Sequence, residues 1–206
     1  MLFRSGRDSL EEVAARPGLW AFWWPRFESI AAWVVEREGA RRVQVRQSFV
    51  EIEGMVEIAA PGGLFKLTAK ADRIDRLSDG TLAIIDYKTG APPSVKEVAA
   101  GFAPQLPLEA MIARHGGFKD VGAAEVGTLL FWRLKGGLEG GEERPAGKNV
   151  AELTEQAFAG LAELVRRFDD EATPYEARPH PDRAPKYSDY GHLARLTEWS
   201  GGEEEE

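Results

Sequence analysis

The stretch Lys66–Gly90 constrains this chain more than any other. It reads Lys-Leu-Thr-Ala-Lys-Ala-Asp72-Arg-Ile-Asp75-Arg-Leu-Ser-Asp-Gly-Thr-Leu-Ala-Ile-Ile-Asp86-Tyr-Lys88-Thr-Gly90. Phe65, Leu67, Ala69 and Ala71 alternate with polar residues, Leu82 to Ile85 is an unbroken apolar run, and Ser78-Asp79-Gly80 lies between them. Strict alternation is the period of a half-buried strand, and a short apolar run bounded by turn residues suits a buried one. Two such strands joined by a tight, glycine-ended loop make an antiparallel hairpin.

The register of the hairpin decides which polar residues meet, and the sequence permits two. Asp86 and Lys88 are two apart on a strand, so they leave the same face. Pairing Asp72 with Asp86 puts Leu77 opposite Thr81 and leaves Ser78-Asp79-Gly80 as the loop, with Gly80 in the left-handed position such loops favour. A two-residue Asp79-Gly80 loop would instead set Asp72 opposite Tyr87, on the wrong face. In the first register two carboxylates and a lysine share one strand end. Carboxylates there can hold a hard divalent cation, while the lysine steadies or deprotonates an attacking water. Asp86-Tyr-Lys88 alone describes a surface salt bridge equally well; Asp72 supplies the second carboxylate that a metal site needs. Asp75 points away from Asp72 and reads as an ion-pair or structural residue.

Elsewhere the period tells helix from strand. Arg42 to Arg46 alternates, and Ala60-Pro61-Gly62-Gly63 is a turn, so 41–88 reads as an antiparallel meander. After Pro92-Pro93, Ser94 caps a helix, and a second runs from Pro104 to His115 before Gly116-Gly117. Strand pattern returns over 122–134, and the Gly- and Glu-rich segment 136–147 reads as a mobile loop. Thr154 opens an amphipathic helix across 152–171, with Phe158, Leu161, Leu164, Val165 and Phe168 on one side. Near the N-terminus a short helix, Ser9 to Ala15, ends at Pro17-Gly18, and another follows near 25–38. Four of the six tryptophans fall between Trp20 and Trp33. They either pack on the core or cover a neighbouring domain. The fold class is α+β: a mixed, mostly antiparallel sheet flanked by helices.

Composition sets limits on function. The chain has 206 residues and a net charge of −8, half of it in Glu203–Glu206, which reads as a solvated, disordered tail over 201–206. The remaining balance excludes a free-standing DNA-coating protein, because neutralising phosphates needs Lys and Arg. It leaves room for a small catalytic module whose grip on DNA lies elsewhere. Arg41-Arg42-Arg46 and Arg166-Arg167 are phosphate contacts or solvated faces. There are no cysteines, so disulfides, iron–sulfur clusters and thiol nucleophiles are excluded, in keeping with a reducing cytosol. No apolar run approaches ~18 residues, and the N-terminus lacks a signal-peptide layout.

These motifs resemble the RecB-family branch of the PD-(D/E)XK nucleases, specifically the C-terminal nuclease domain of AddB-type double-strand break repair proteins. Ala69 through Asp75 matches the family's small-residue-then-Asp-Arg-Ile-Asp motif. Asp86-Tyr-Lys-Thr-Gly90 matches its next motif without a change, and Gly101 through Leu108 matches Gly-x-x-Pro-Gln-Leu-x-Leu. The resemblance implies a restriction-endonuclease-like core over residues 1–200, as the C-terminal part of a longer bacterial, cytoplasmic protein. It implies magnesium, or manganese, held by Asp72 and Asp86 with the Tyr87 carbonyl as a third ligand. Lys88 would activate the water that attacks DNA. Gln105 would approach from the following helix to orient Lys88 or the DNA backbone, unless it is a helix-surface or capping residue. The partners implied are DNA, an AddA-type subunit and the preceding part of its own chain, with no membrane. The alternative is a weak or inactive docking module in the same repair complex.

The sequence departs from the family at three places. Glu109 stands where tyrosine often follows the glutamine. A histidine ligand is expected on an upstream helix, yet His115, His180 and His192 all follow Asp72, so the chain reads as a fragment beginning after that motif and a poor nuclease by itself. Glu51, Glu53 and Glu57 are substitutes for the histidine, or exposed strand residues. Third, Pro185 to Arg195 has the outline of a cysteine cluster with every cysteine replaced, so it can hold no iron–sulfur centre. Tyr187, Tyr190, Leu193 and Trp199 are then its packing anchors, and His192 is structural or exposed.

Overall fold

The computed structural model describes residues 17–176 together with 179, 180, 182 and 193. The Ser9–Ala15 helix, the anchors Tyr187, Tyr190 and Trp199, His192 and the acidic tail lie outside the described residues. The chain divides into two compact units, Met1–Arg166 and Arg167–Glu206, and the sheet belongs to the first.

Five strands form one sheet in chain order: β1 (Val45–Ala60), β2 (Gly63–Leu77), β3 (Leu82–Lys88), β4 (Val126–Leu134) and β5 (Gly141–Pro145). β1–β2, β2–β3 and β4–β5 are antiparallel, whereas β3 and β4 run parallel. A parallel pair needs a crossover, and α2 (Val95–Ala99) and α3 (Gln105–Arg114) provide it. Ser94 caps α2 in a reciprocal box with Glu97, as its sequence predicts. β3 is central, so Leu82 to Asp86 are all buried.

The two faces of the sheet carry different cores. On one, Ile74, Ile84, Leu129 and Phe131 pack with Leu106, Ala110 and Ile112 of α3. On the other, Ile85, Leu130 and Trp132 meet Trp33 of α1 (Pro17–Arg41). Each β3 side chain is thereby committed to α3 or to α1, and Asp86 shares the α3 face with Ile84.

Three sequence expectations need correction. The helix expected near 25–38 begins earlier, at Pro17, because a first-turn proline lacks only an amide that has no acceptor there. Pro25 lies inside α1, spanned by the stacked rings Trp20–Trp24 and Trp24–Phe27. The segment 136–147 is not wholly loop, since Gly141–Pro145 pairs with β4 as an edge strand. Its glutamates hide it from hydropathy but suit an edge, where charge discourages pairing with another chain. The last helix, α4 (Val150–Phe168), begins before Thr154: Asn149 Oδ1 accepts from the Glu152 amide at 3.3 Å, and Thr154 is buried, donating to the Val150 carbonyl at 2.8 Å. No helix among the described residues is long and apolar enough to cross a membrane.

Candidate functional site

The site lies where β2 and β3 part. The rungs Arg76↔Leu82 to Arg73↔Ile85 keep the register expected from the three-residue loop and end one position short of Asp72 and Asp86. The Leu77 amide donates to the Thr81 carbonyl at 2.8 Å, and Gly80 adopts φ 88°. A side chain at that φ would be strained. Beyond Arg73↔Ile85 the ladder stops, and the Tyr87 amide donates to Asp72 Oδ2 at 2.9 Å. Across β1 the same level is irregular: Glu51 sits at φ 52° between the rungs Val50↔Arg73 and Ile52↔Ala71. The core-facing residues change parity there, Phe49 and Ile74 on one side, Ile52 and Ala71 on the other.

Asp86, Lys88 and Gln105 form a closed set. Asp86 is 2% exposed, and its Oδ1 accepts from Lys88 Nζ at 3.0 Å and from Gln105 Nε2 at 2.8 Å. Asp86 Oδ2 is buried and accepts no hydrogen bond, facing Lys88 Nζ only as an ion pair at 2.8 Å. Gln105 Oε1 accepts from Lys88 Nζ at 3.4 Å. Gln105 is therefore neither a cap nor a bare surface residue, and Pro104, which precedes α3, supplies no capping side chain. Tyr87 enters through its backbone, while its ring packs edge-on against Trp132 on the α1 face.

Asp75 belongs to that other face. It is fully buried, accepting from Arg73 Nε and from Ser48 Oγ, each at 2.7 Å, and from Arg41 Nη2 at 3.4 Å. Arg73 also pairs with Glu38 of α1. This network bolts α1 to the sheet and leaves the α3 face to Asp72 and Asp86.

The sequence reading passed over one member of the site. Glu109, one turn beyond Gln105 on α3, is 2% exposed, and its Oε1 accepts from Gln105 Nε2 at 3.1 Å. Its Oε2 has no hydrogen-bond partner. Burial, with the negative charges of Asp86 and Asp72, pushes its carboxyl up to about 7 against the pull of Gln105 and Lys88. A signal was present: Glu109 sits among Leu106, Pro107 and Ala110 to Ala113, all buried, so an acid there has to face inward. A cleft of about 230 Å³ opens beside it, between Leu67, Ala69 and Lys70 of β2 and Gln105 and Leu108 of α3.

The other candidates stand apart. Glu51 pairs with Lys70 on the exposed surface, Glu53 lines a wider groove with Lys119, and Glu57 is exposed. His115 follows the last residue of α3, its Nδ1 3.0 Å from the Met111 carbonyl. Among the described residues, no group of three His, Cys, Asp or Glu side chains converges to cage a metal. The oxygen donors present nevertheless suit a hard divalent ion. Asp86 Oδ2 lacks a hydrogen bond and already faces a cation, and Asp72 is bonded to the amide of the next residue, Tyr87.

A family model described as the PD-(D/E)XK nuclease superfamily matches residues 5–187. An uncharacterized protein of Rickettsia bellii (strain RML369-C) is 35% identical over 78 residues, 38% of this chain and 9% of its own length. The uncharacterized protein RT0391 of Rickettsia typhi matches to the same extent, 35% over 78 residues and 9% of its own length. The chain thus spans only a small part of the curated relatives it matches. Among solved structures, that of SSO0001 superposes with a TM-score of 0.36 at 14% identity, covering 77% of this chain and 69% of that one.

Proposed function

The chain belongs to the PD-(D/E)XK nuclease superfamily, and from that premise we propose that it hydrolyses DNA phosphodiester bonds with a divalent metal, magnesium first and manganese in its place. One observation carries the proposal: Lys88 Nζ lies within 3.4 Å of both Asp86 and Gln105 at the open end of β3, with Asp72 bonded to the neighbouring Tyr87 amide. Asp72 and Asp86, with the Tyr87 carbonyl, would hold the ion. A bound ion supplies charge neutralisation at the phosphate and a more acidic water. Lys88 donates to and orients the attacking water, and Gln105 keeps the ammonium aimed by accepting from it. The buried floor of Leu106 and Ile84 excludes bulk water beneath these groups, which strengthens each electrostatic contact.

For its setting we propose the RecB-type branch: an exonuclease module of an AddB-type helicase–nuclease that processes double-strand ends beside an AddA-type subunit. The unbroken Asp86–Gly90 motif and the Gly101–Leu108 motif support this reading. A second reading, a catalytically weak docking module of the same fold, draws on the lack of a three-residue metal cluster among the described residues.

One assay decides between them. Linear duplex and single-stranded DNA are incubated with the chain and Mg2+ or Mn2+, beside Lys88→Ala and chelator controls. Metal-dependent cleavage that Lys88→Ala removes supports the nuclease. Cleavage indifferent to Lys88 refutes the mechanism, and no cleavage with either ion favours the docking module.

A further inference from the structure

We infer that Glu109 is a positioning residue of the site, acting on Asp86 through the Gln105 carboxamide. The inference rests on the metal-nuclease reading and adds a residue to it. The amide nitrogen of Gln105 carries two protons, and both are spent, one on Asp86 Oδ1 at 2.8 Å and one on Glu109 Oε1 at 3.1 Å. Its oxygen accepts from Lys88 at 3.4 Å. With the amide flipped, its protons would face the Lys88 ammonium and its oxygen would face two carboxylates. Glu109 contributes to this choice from within the protein, because it is 2% exposed whereas Gln105 lies at the surface.

The cost of Glu109 argues against an incidental role. A buried carboxylate is expensive unless paired, and among the described residues no ion pair involves Glu109; the nearby Lys88 pairs with Asp86. Its second oxygen accepts nothing. Leucine or methionine would fill that helix position among Leu106, Ala110 and Ala113 without this penalty. What the carboxylate provides is an acceptor that does not depend on Asp86. With an ion held at Asp86, Glu109 would still hold the Gln105 nitrogen, which would keep the oxygen on Lys88 and the other amide proton turned toward Asp86. Such partners fix the direction in which a ligating carboxylate points.

The test is a mutant cycle on the 206-residue chain, read by calorimetric titration with Mn2+ alone and by kcat and KM for DNA cleavage. Glu109→Met removes the acceptor with little change in shape. It is expected to weaken Mn2+ binding and lower kcat by roughly 10–100-fold, the range for a lost ligand-orienting partner, with KM little changed. Glu109→Gln keeps an acceptor oxygen and should recover most of that loss. In a Gln105→Ala background, Glu109→Met should cost nothing more; additive losses overturn the inference. If Glu109→Met does not fold, Glu109→Leu takes its place in the same cycle and is read by the same outcomes. A wild-type chain that binds Mn2+ and cuts DNA while Glu109→Met matches it refutes this inference alone. A wild type that does neither refutes the nuclease reading and this inference with it.

Discussion

The Tyr87 amide donates to Asp72 Oδ2 at 2.9 Å, one step past Arg73↔Ile85, the last rung joining β2 to β3. A donor that a continued ladder would give to a backbone carbonyl instead orients a carboxylate. The splaying of two strands thus opens the site and aims one of its acids in the same step. Charge-assisted bonds of this kind are short and directional, so Asp72 is set before any ion arrives.

Asp72→Asn separates orientation from charge. The amide oxygen still accepts from Tyr87, so the fold should melt within about 2 °C of wild type, as expected for a change outside the core. Cleavage should fall by roughly 10²–10³-fold, because half the carboxylate charge facing the ion is gone. Thermal melts and cleavage rates at saturating Mg2+ check both halves. Full activity in Asp72→Asn would remove Asp72 from the site.

Arg73→Met tests the opposite face. Asp75 is fully buried and Arg73 only 7% exposed, so losing the guanidinium strands a buried charge with Ser48 and the more distant Arg41. Breaking one partner of a buried pair costs about 3–5 kcal/mol. Urea unfolding should show that loss, while Mn2+ affinity of the folded fraction stays unchanged. A loss under about 1 kcal/mol would mean Arg41 and Ser48 suffice for Asp75.

The hairpin was legible because turn chemistry narrows the register: Gly80 allowed a two- or a three-residue loop, and the structure adopts the three-residue one, with rungs as far as Arg73↔Ile85. Asp75 was legible for the same reason, since alternation sends it to the α1 face. β5 was not, because an edge strand stabilised through its partner β4 needs no apolar signature; four of its five residues lie outside the buried set. Glu109 stood out in the sequence only as a replacement for the family's tyrosine. Its six buried neighbours on α3 outweigh its own polarity, and only tertiary packing of α3 on β3 makes that decisive. The parity change at Glu51 and Asp72 was invisible, because a residue other than glycine at positive φ leaves no compositional mark.

Magnesium should bind loosely. It prefers octahedral geometry and keeps several waters, and two carboxylates with a carbonyl leave it mostly hydrated. Cleavage by the 206-residue chain is expected to saturate only at Mg2+ on the order of millimolar. Rates measured across a Mg2+ series check this. Saturation in the low micromolar range would require a further protein ligand beyond Asp72, Asp86 and Tyr87.

Glu109 should leave a signature in the pH dependence of stability. Its carboxyl is raised from an ordinary 4.5 to about 7, first by burial and then by Asp86 and Asp72. Between those values the unfolded chain has released this proton and the folded chain still holds it. The folded state binds more protons there, so stability falls as pH rises through the window and levels off above it. Across the window the loss amounts to about 3 kcal/mol at 1.36 kcal/mol per pKa unit. Carboxylates that do not face Glu109 titrate equally in wild type and Glu109→Gln, so they cancel in the difference between the two. The variant, which cannot ionise there, should gain on wild type from pH 4 to pH 8 by about that amount. Urea midpoints for both proteins, at half-unit steps of pH without divalent ions, measure it. A difference that stays flat across the window would mean that Glu109 is ionised in the fold at acid pH, paired with a cation that faces it in solution.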